Sequence, residues 1–130
     1  MKRLLFVDDD AMVLAGLRRA LHDMNREWNM QFASGGQAAL EVLAQQPFDA
    51  VITDVSLPGM SGIELAKELG RRHPRLPVVI SSGYGAPHVE MIMGPRSQVF
   101  VLPKPYDMPT LERTLRAAAA AGLAAKPAGP

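Results

Sequence analysis

The chain contains no cysteine, which removes disulfide bonds, thiolate metal sites and cysteine nucleophiles from consideration. It also lacks an excess of charge of either sign, because 14 basic and 13 acidic side chains leave a formal net charge of +1. A broad positive field of the kind that holds nucleic acid or anionic lipid is therefore not expected. Long hydrophobic runs are missing as well, since no apolar stretch approaches the roughly 18 residues that span a bilayer.

The amino terminus does not have the pattern of a secretory signal peptide. Its basic pair, Lys2 and Arg3, precedes an apolar run of only four residues, which ends in three acids. We therefore expect a soluble cytoplasmic protein with neither membrane nor direct nucleic-acid partners. With 130 residues, 48% of them hydrophobic, the chain has the length and composition of one compact domain.

Two hydrophobic periods alternate along the chain. Short apolar runs predict five strands, at residues 4–7, 30–33, 51–53, 78–81 and 99–102. The segments between and after them carry apolar residues three or four apart, as Leu14, Leu17 and Leu21 do, and predict five helices. The third helix is predicted to open with a capping box at Ser61 and Glu64, the fourth to run from 85 through 93, and the last to begin near 107.

Strict alternation of strands and helices predicts an α/β fold with an open, doubly wound parallel sheet. The strands are apolar along nearly their whole length, as expected when helices cover both faces of a sheet. We expect residues 1–121 to form the domain and 122–130 to form a flexible tail, because the tail has no periodic apolar face.

Polar residues follow the predicted strands at the edge where parallel strands end together. These residues are Asp8, Asp9, Asp10, Asp54, Ser81, Ser82 and Lys104. Carboxylates that converge there repel one another by about 4 kcal/mol per pair at a separation of about 4 Å and an effective dielectric of about 20. We therefore expect a cation at this edge. Oxygen ligands without histidine or cysteine favour Mg²⁺, with Mn²⁺ as the alternative, although each acid alone could simply cap the first helix.

Four motifs resemble those of the receiver domain of two-component response regulators, of the chemotaxis-regulator type. They occupy residues 4–10, 49–62, 80–85 and 102–106, in the order and at the spacing of that family, and the resemblance covers about residues 3–120. It implies a five-stranded, parallel, flavodoxin-like sheet in the order 2-1-3-4-5, with five helices distributed over both faces.

The resemblance implies three catalytic residues. Asp54 matches the aspartate that accepts a phosphoryl group, and Lys104 matches the lysine that neutralises the phosphoryl oxygens during transfer. Ser82 matches the hydroxyl residue that bonds the phosphoryl group once it is attached. In the family the peptide bond that matches Lys104–Pro105 is cis. Ser81, one position earlier on the strand, is expected to face away from Ser82.

The resemblance also implies the metal ligands. Asp9 matches a direct ligand of Mg²⁺, and Asp8 matches an acid that acts through water. Asp54 itself and the backbone carbonyl of Ser56 complete the protein ligands, with waters in the remaining positions. The nearby Pro58, Gly59 and Gly62 match a loop whose role is geometric.

The implied function is Mg²⁺-dependent transfer of a phosphoryl group to Asp54 from a phosphohistidine on a sensor histidine kinase or a histidine phosphotransfer protein. Such a receiver catalyses its own phosphorylation and dephosphorylation and is not a conventional enzyme. Because no output domain fits after residue 121, we expect signalling by contact with an unidentified protein target, either from a stand-alone regulator or from the receiver part of a longer chain.

Two alternative functions compete with this one, a binding module on the same fold and a hydrolase that also uses an aspartate at a strand end. The first is a binding module that signals without phosphate, and the intact set of site residues argues against it. The second is a phosphohydrolase of the haloacid-dehalogenase type, which needs an acid two residues after its nucleophile, where Ser56 stands here.

Three further expectations concern regulation. Tyr84 matches a position whose side chain overhangs the phosphoryl group in the family, so the resemblance implies that its ring slows hydrolysis. The kinase is expected to dock at the start of the first helix, where the candidate residues are Ala11, Met12, Leu14, Ala15 and Arg18. Val101 stands where the family has a switching aromatic residue, and Phe100 is expected to face the opposite way, so a smaller rearrangement is predicted.

Overall fold

The computed structural model describes residues 2–22, 28–83 and 99–125, with side chains described as far as residue 121. Its strands are β1 (Lys2–Val7), β2 (Trp28–Ala33), β3 (Ala50–Asp54), β4 (Val78–Ser82) and β5 (Val99–Pro103). Its helices are α1 (Ala11–Ala20), α2 (Gly36–Gln45), α3 (Gly62–Arg72) and α4 (Met108–Ala125). The last of these is the fifth helix of the sequence prediction.

The five strands form one parallel sheet in the order β2-β1-β3-β4-β5, which confirms the predicted fold class and strand order. In its register Leu5 pairs with Gln31 on one side and with Val51 on the other. The described residues contain four helices where five were predicted, because the helix predicted at 85–93 lies outside them.

Two hydrophobic cores lie on opposite faces of the sheet. Alternate strand residues, such as Leu5 and Val51, pack with α2 and α3 on one face. Their neighbours, such as Leu4 and Ile52, pack on the other face against residues of α4, with apolar side chains of α1 beside them. Burial on both faces explains why the strands have continuous apolar runs and not an alternating pattern.

The helix ends agree with local sequence signals. The capping box of α3 is confirmed, since the Ser61 hydroxyl accepts from the Glu64 amide (3.1 Å) and the Glu64 carboxylate accepts from the Ser61 amide (3.2 Å). Asp10 caps α1 by accepting from the Met12 amide at 2.8 Å. Asp107 accepts from the Thr110 amide at 2.8 Å in the first turn of α4, and these bonds to Thr110 lower the pKa of Asp107.

The last helix and the first differ in how they meet the rest of the molecule. The α4 helix continues to Ala125, past residue 121, so the domain boundary expected there stays a prediction. By contrast, α1 has no fully buried residue, and its Leu14 and Leu17 are only half-buried against the sheet. Among the described residues, no helix is both long and apolar enough to cross a membrane.

Candidate functional site

The predicted site residues come from four strand ends at one edge of the sheet. Asp54 is the last residue of β3 and Ser82 the last of β4, while Asp8 follows β1 and Lys104 follows β5. A cavity of about 420 Å³ opens at this edge, and it is lined by Lys104 and by Asp8, Asp9, Asp10 and Asp54. Ser82 is fully buried at the end of β4 and Ser56 is exposed beyond β3, and neither lines the cavity.

Asp54 and Lys104 form an ion pair across 50 residues of chain. The Lys104 Nζ lies 2.9 Å from the Asp54 Oδ1, and the Asp54 side chain is only 15% exposed. The Lys104 amide also donates to the carbonyl oxygen of Ser82 at 2.9 Å, and the Lys104–Pro105 peptide bond is cis, as the resemblance implied. The geometry therefore brings one cation directly to the carboxylate of the expected acceptor.

The loop after Asp54 is held against the end of β3 by backbone contacts. The Gly62 amide donates to the Val55 carbonyl at 2.9 Å, and a Cβ atom on Gly62 would overlap the carbonyl oxygen of Asp54. Gly59 has a φ of +76°, a conformation that favours glycine. Close approach at Gly62 and left-handed backbone at Gly59 thus give two distinct physical reasons for glycine in this loop.

The acids at this edge act on one another electrostatically. Burial is the largest cause that raises the pKa of Asp8, and the negative charges of Asp54 and Asp9 raise it further. The backbone amide of Asp10, which donates to Asp8 Oδ1 at 2.9 Å, and the charge of Lys104 act in the opposite direction. Among the described residues, the acids at this edge therefore carry more negative charge than Lys104 neutralises.

The donor chemistry of this edge fits Mg²⁺, because its side-chain donors are carboxylate oxygens with uncompensated charge. The carboxylates bond to protein donors, Asp54 to Lys104 and Asp8 to the amide of Asp10. Among the described residues, no group of three acidic or histidine side chains is arranged so that it could hold a metal ion without moving. Metal binding at this edge would therefore need side-chain rotation.

The hydroxyl-bearing residues Tyr106 and Ser81 also line the cavity, and the sequence assigned neither of them a chemical role. Tyr106 lies beside the acids, and burial raises the pKa of its hydroxyl, so it is neutral at physiological pH. Ser81 pairs in register with Asp54 across β3 and β4 and also lines the cavity. Tyr106 lies within the quoted motif at 102–106, but the place of Ser81 beside Asp54 depends on strand register.

Comparison with known proteins identifies the family. Residues 4–116 match the response regulator receiver domain family. This chain belongs to that family. Receiver domains of response regulators interact with sensor kinases, and they generally bind Mg²⁺ at the phosphorylation site.

Curated relatives of this receiver domain are longer proteins. The DNA-binding transcriptional regulator NtrC of Escherichia coli strain K12 is 33% identical over 102 residues, which cover 78% of this chain and 21% of NtrC. The response regulator protein FleR of Pseudomonas aeruginosa is 40% identical over 86 residues, which cover 65% of this chain and 17% of FleR. The chain thus spans about a fifth of the length of these relatives.

A solved structure shows the same fold. The chemotaxis protein CheY4 of Vibrio cholerae superimposes with a TM-score of 0.80 at 25% sequence identity, over 91% of this receiver domain and 98% of CheY4. This likeness agrees with the strand order described above.

Proposed function

We propose that this receiver domain accepts a phosphoryl group on Asp54 from a phosphohistidine of a sensor histidine kinase or a histidine phosphotransfer protein. The observation that carries the proposal is the pairing of Asp54 with Lys104 at 2.9 Å, at an edge lined by three further aspartates. An isolated surface ion pair would not explain this surplus of acids around a largely buried carboxylate.

The transfer assigns a defined task to each catalytic residue. A carboxylate oxygen of Asp54 attacks phosphorus, a P–O bond forms, and the P–N bond to the donor imidazole breaks, with the released imidazole taking up a proton. Lys104, already 2.9 Å from the Asp54 oxygen, neutralises charge on the transferred phosphoryl oxygens. Ser82, at the end of the neighbouring strand, donates its hydroxyl hydrogen to the attached group.

The metal ligands proposed for Mg²⁺, or alternatively Mn²⁺, are Asp8, Asp9, Asp54 and the carbonyl of Ser56. When bound, the ion supplies positive charge to the phosphoryl oxygens. Asp8 contributes negative charge from a half-buried position, where its neighbours Asp54 and Asp9 already oppose its ionisation. Asp10 lies outside the ligand set, because its carboxylate caps α1.

The experiment is labelling with the small phosphodonor acetyl phosphate in the presence of Mg²⁺, followed by intact-mass spectrometry. The wild-type chain should gain one phosphoryl group, and Asp54→Asn should gain none. Asp107→Asn is the matched control, because it changes an exposed aspartate that caps α4 and should label like the wild type. Labelling that persists in Asp54→Asn would show that another residue accepts the phosphoryl group.

A folded wild-type chain that takes no label under these conditions would favour the second candidate, a protein-binding module that works without phosphate. Signal output is proposed to run through contact with a protein target. The relative NtrC is named as a DNA-binding regulator, and the expected absence of a nucleic-acid partner stays a prediction for this chain.

A further inference from the structure

The strand β2 lies at one side of the sheet, and among the described residues its outer side pairs with no other strand. Its six residues, Trp28–Ala33, include neither a proline nor a charged side chain. Soluble proteins often protect an edge strand with such residues, because exposed backbone N–H and C=O groups otherwise attract a further strand. The outer side of β2 is thus an unprotected place for another strand to add.

The strand register shows which backbone groups of β2 point outward. The Asp8 amide donates to the Ala33 carbonyl at 3.1 Å, so the backbone groups of Ala33 point toward β1. Successive residues of a strand point their backbone groups to opposite sides. The backbone of Gln31 therefore also points toward β1, whereas Met30 and Phe32 present their N–H and C=O groups to the outside.

A groove follows the same residues on the side of the sheet that α1 covers. This β2 groove is lined by Arg18, Met30, Gln31 and Phe32 and has a volume of about 420 Å³. The side chains of Met30 and Phe32 are half-buried, and the Arg18 guanidinium lies 4.4 Å from the centre of the Phe32 ring. Side chains from an added strand would therefore meet apolar surface and one positive charge.

Contacts on both faces of the sheet hold β2 in place. The side-chain amides of Gln31 and Gln46 exchange two hydrogen bonds, at 3.0 and 3.2 Å, and Arg3 Nη1 donates to Gln46 Oε1 at 2.9 Å. On the other face, the rings of Phe32 and Phe6 are stacked with their centres 5.3 Å apart. A strand that is already ordered loses little conformational freedom when another strand pairs with it, which favours binding.

Charge in the β2 groove favours an acidic partner. Of the described residues that line the groove, only Arg18 is charged, and its neighbour Arg19 is also exposed near the end of α1. A carboxylate on an added strand would complement this charge. The β2 strand of a second copy carries no acid, so it could not do so.

We propose that β2 binds an extended, acidic segment of a partner protein as a sixth strand of the sheet. The backbone of that segment bonds the outward groups of Met30 and Phe32, and every second side chain lies in the β2 groove, where one carboxylate pairs with Arg18. None of these residues takes part in the proposed phosphoryl transfer, so the inference does not depend on the proposed function.

The test uses the full chain and a synthetic peptide that can form such a strand, acetyl-Thr-Val-Thr-Glu-Thr-Val-Thr-amide, with amide hydrogen exchange as the measurement. In the free chain, the amides of Met30 and Phe32 should exchange faster than the amide of Gln31, which points toward β1. When the peptide occupies about nine-tenths of the chain, exchange at Met30 and Phe32 should slow about tenfold, because only the free tenth exchanges.

Two matched peptides separate strand pairing from charge attraction. A peptide of the same sequence with N-methyl groups on its three central backbone amides keeps the charge but cannot pair, and it should bind about tenfold more weakly or worse. The analogue with glutamine in place of glutamate pairs but has no charge, and it should bind about threefold more weakly.

Two arginine variants locate the effect of charge. Arg18→Gln should bind the glutamate and glutamine peptides equally well. Arg19→Gln is the matched control, because Arg19 does not line the groove, and it should keep the preference of about threefold for glutamate. Each comparison is made on one variant, so any change in packing caused by the loss of Arg18 affects both peptides alike.

The proposal would be overturned if the peptide did not bind, if the N-methylated peptide bound as tightly, or if Arg18→Gln kept the preference for glutamate. It would also be overturned if the amides of Met30 and Phe32 were already protected in the free chain and the chain sedimented as a dimer, since a second copy would then cover β2. Labelling of Asp54 by acetyl phosphate needs no peptide, so it tests the proposed function separately.

Discussion

At the scale of single residues, the site depends on charges that the fold places close together. Asp54 is paired with Lys104, while Asp8 is held partly buried among other acids. These two environments have opposite consequences. Lys104 attracts the negative charge of Asp54, whereas burial and the neighbouring acids oppose a negative charge on Asp8. Each leads to a prediction about a single substitution.

Replacing the lysine should affect the chemistry more than the fold. In Lys104→Ala the rate of Asp54 labelling by acetyl phosphate should fall about 10²-fold, as when other preorganised charge donors are removed. Some stability should also be lost, because the largely buried Asp54 carboxylate would keep its charge among other acids without a partner. Intact-mass time courses would measure the rate, with Lys67→Ala, an exposed lysine on α3, as the control. An unchanged rate in Lys104→Ala would contradict the role of Lys104.

Replacing Asp8 should stabilise the metal-free protein. Its pKa is raised above the ordinary 3.8, so its ionised form costs stability at neutral pH, and this cost disappears as the pH falls through the raised folded value. Asp8→Asn should therefore have the higher free energy of unfolding at pH 7, and the gap should narrow in acid. Urea denaturation at several pH values would measure this difference in the free energy of unfolding between the variant and the wild type.

Asp107→Asn is the control, because its effect on the free energy of unfolding should have the opposite sign. The lowered pKa of Asp107 stabilises the folded state above the ordinary value of 3.8, and that contribution is lost as the pH falls through the folded value. The variant should therefore be the less stable protein at pH 7. Loss of stability at pH 7 in Asp8→Asn would contradict the repulsion described at the acidic edge.

At the scale of elements, the join between β3 and α3 positions the acceptor. Gly62 begins α3 and packs directly on the carbonyl of Asp54, so helix and strand approach more closely than any side chain permits. The end of β5 shows a second effect of element geometry. Val101 packs with the α2 and α3 core and Phe100 with the opposite core, which confirms that they face opposite ways. The smaller rearrangement expected from Val101 stays a prediction.

A methyl group at Gly62 should move the acceptor loop. Gly62→Ala should lower the free energy of unfolding by about 1–3 kcal/mol, because its Cβ would overlap backbone that cannot shift freely. It should also slow labelling of Asp54. Gly70→Ala is the control in the same helix, where a Cβ meets nothing within 4 Å and should stabilise by up to about 1 kcal/mol. Equal effects of the two substitutions would contradict the close approach.

At the scale of the whole molecule, the phosphodonor must approach the acidic edge from outside, beside the start of α1. Met12 is 82% exposed there, an unusually high exposure for a large apolar side chain. Leu14 instead packs toward the sheet, and the Arg18 guanidinium lies 4.4 Å from the centre of the Phe32 ring. Substitution at Arg18 would therefore disturb internal packing as well as docking. Tyr84, expected to control hydrolysis, lies outside the described residues.

Docking and chemistry should be separable at Met12. Met12→Glu should impair phosphoryl transfer from a phosphohistidine partner by about tenfold, since it adds charge and removes apolar contact at an interface. Labelling by acetyl phosphate should be unchanged. Met108→Glu is the control, because Met108 is also exposed but begins α4. If Met12→Glu slowed labelling by acetyl phosphate as much as transfer from the phosphohistidine partner, the substitution would act on the phosphorylation site and not on docking.

The sequence by itself determined the features that depend on neighbouring residues. Apolar runs and their spacing predicted the five strands and the four described helices, and the Ser61 and Glu64 pair predicted the start of α3. The acids were expected at one edge because parallel strands with right-handed crossovers end there together. These features follow from local hydrogen bonding and from simple rules of chain connection.

Tertiary structure alone decided the rest. The 2.9 Å contact of Lys104 with Asp54 and the close approach of Gly62 to the backbone of Asp54 both involve residues from different elements. So does the cavity at the acidic edge, whose walls come from α1 and from the sheet. Strand register and helix packing set such distances to within an ångström, and both result from the simultaneous packing of many side chains, which no short stretch of sequence specifies.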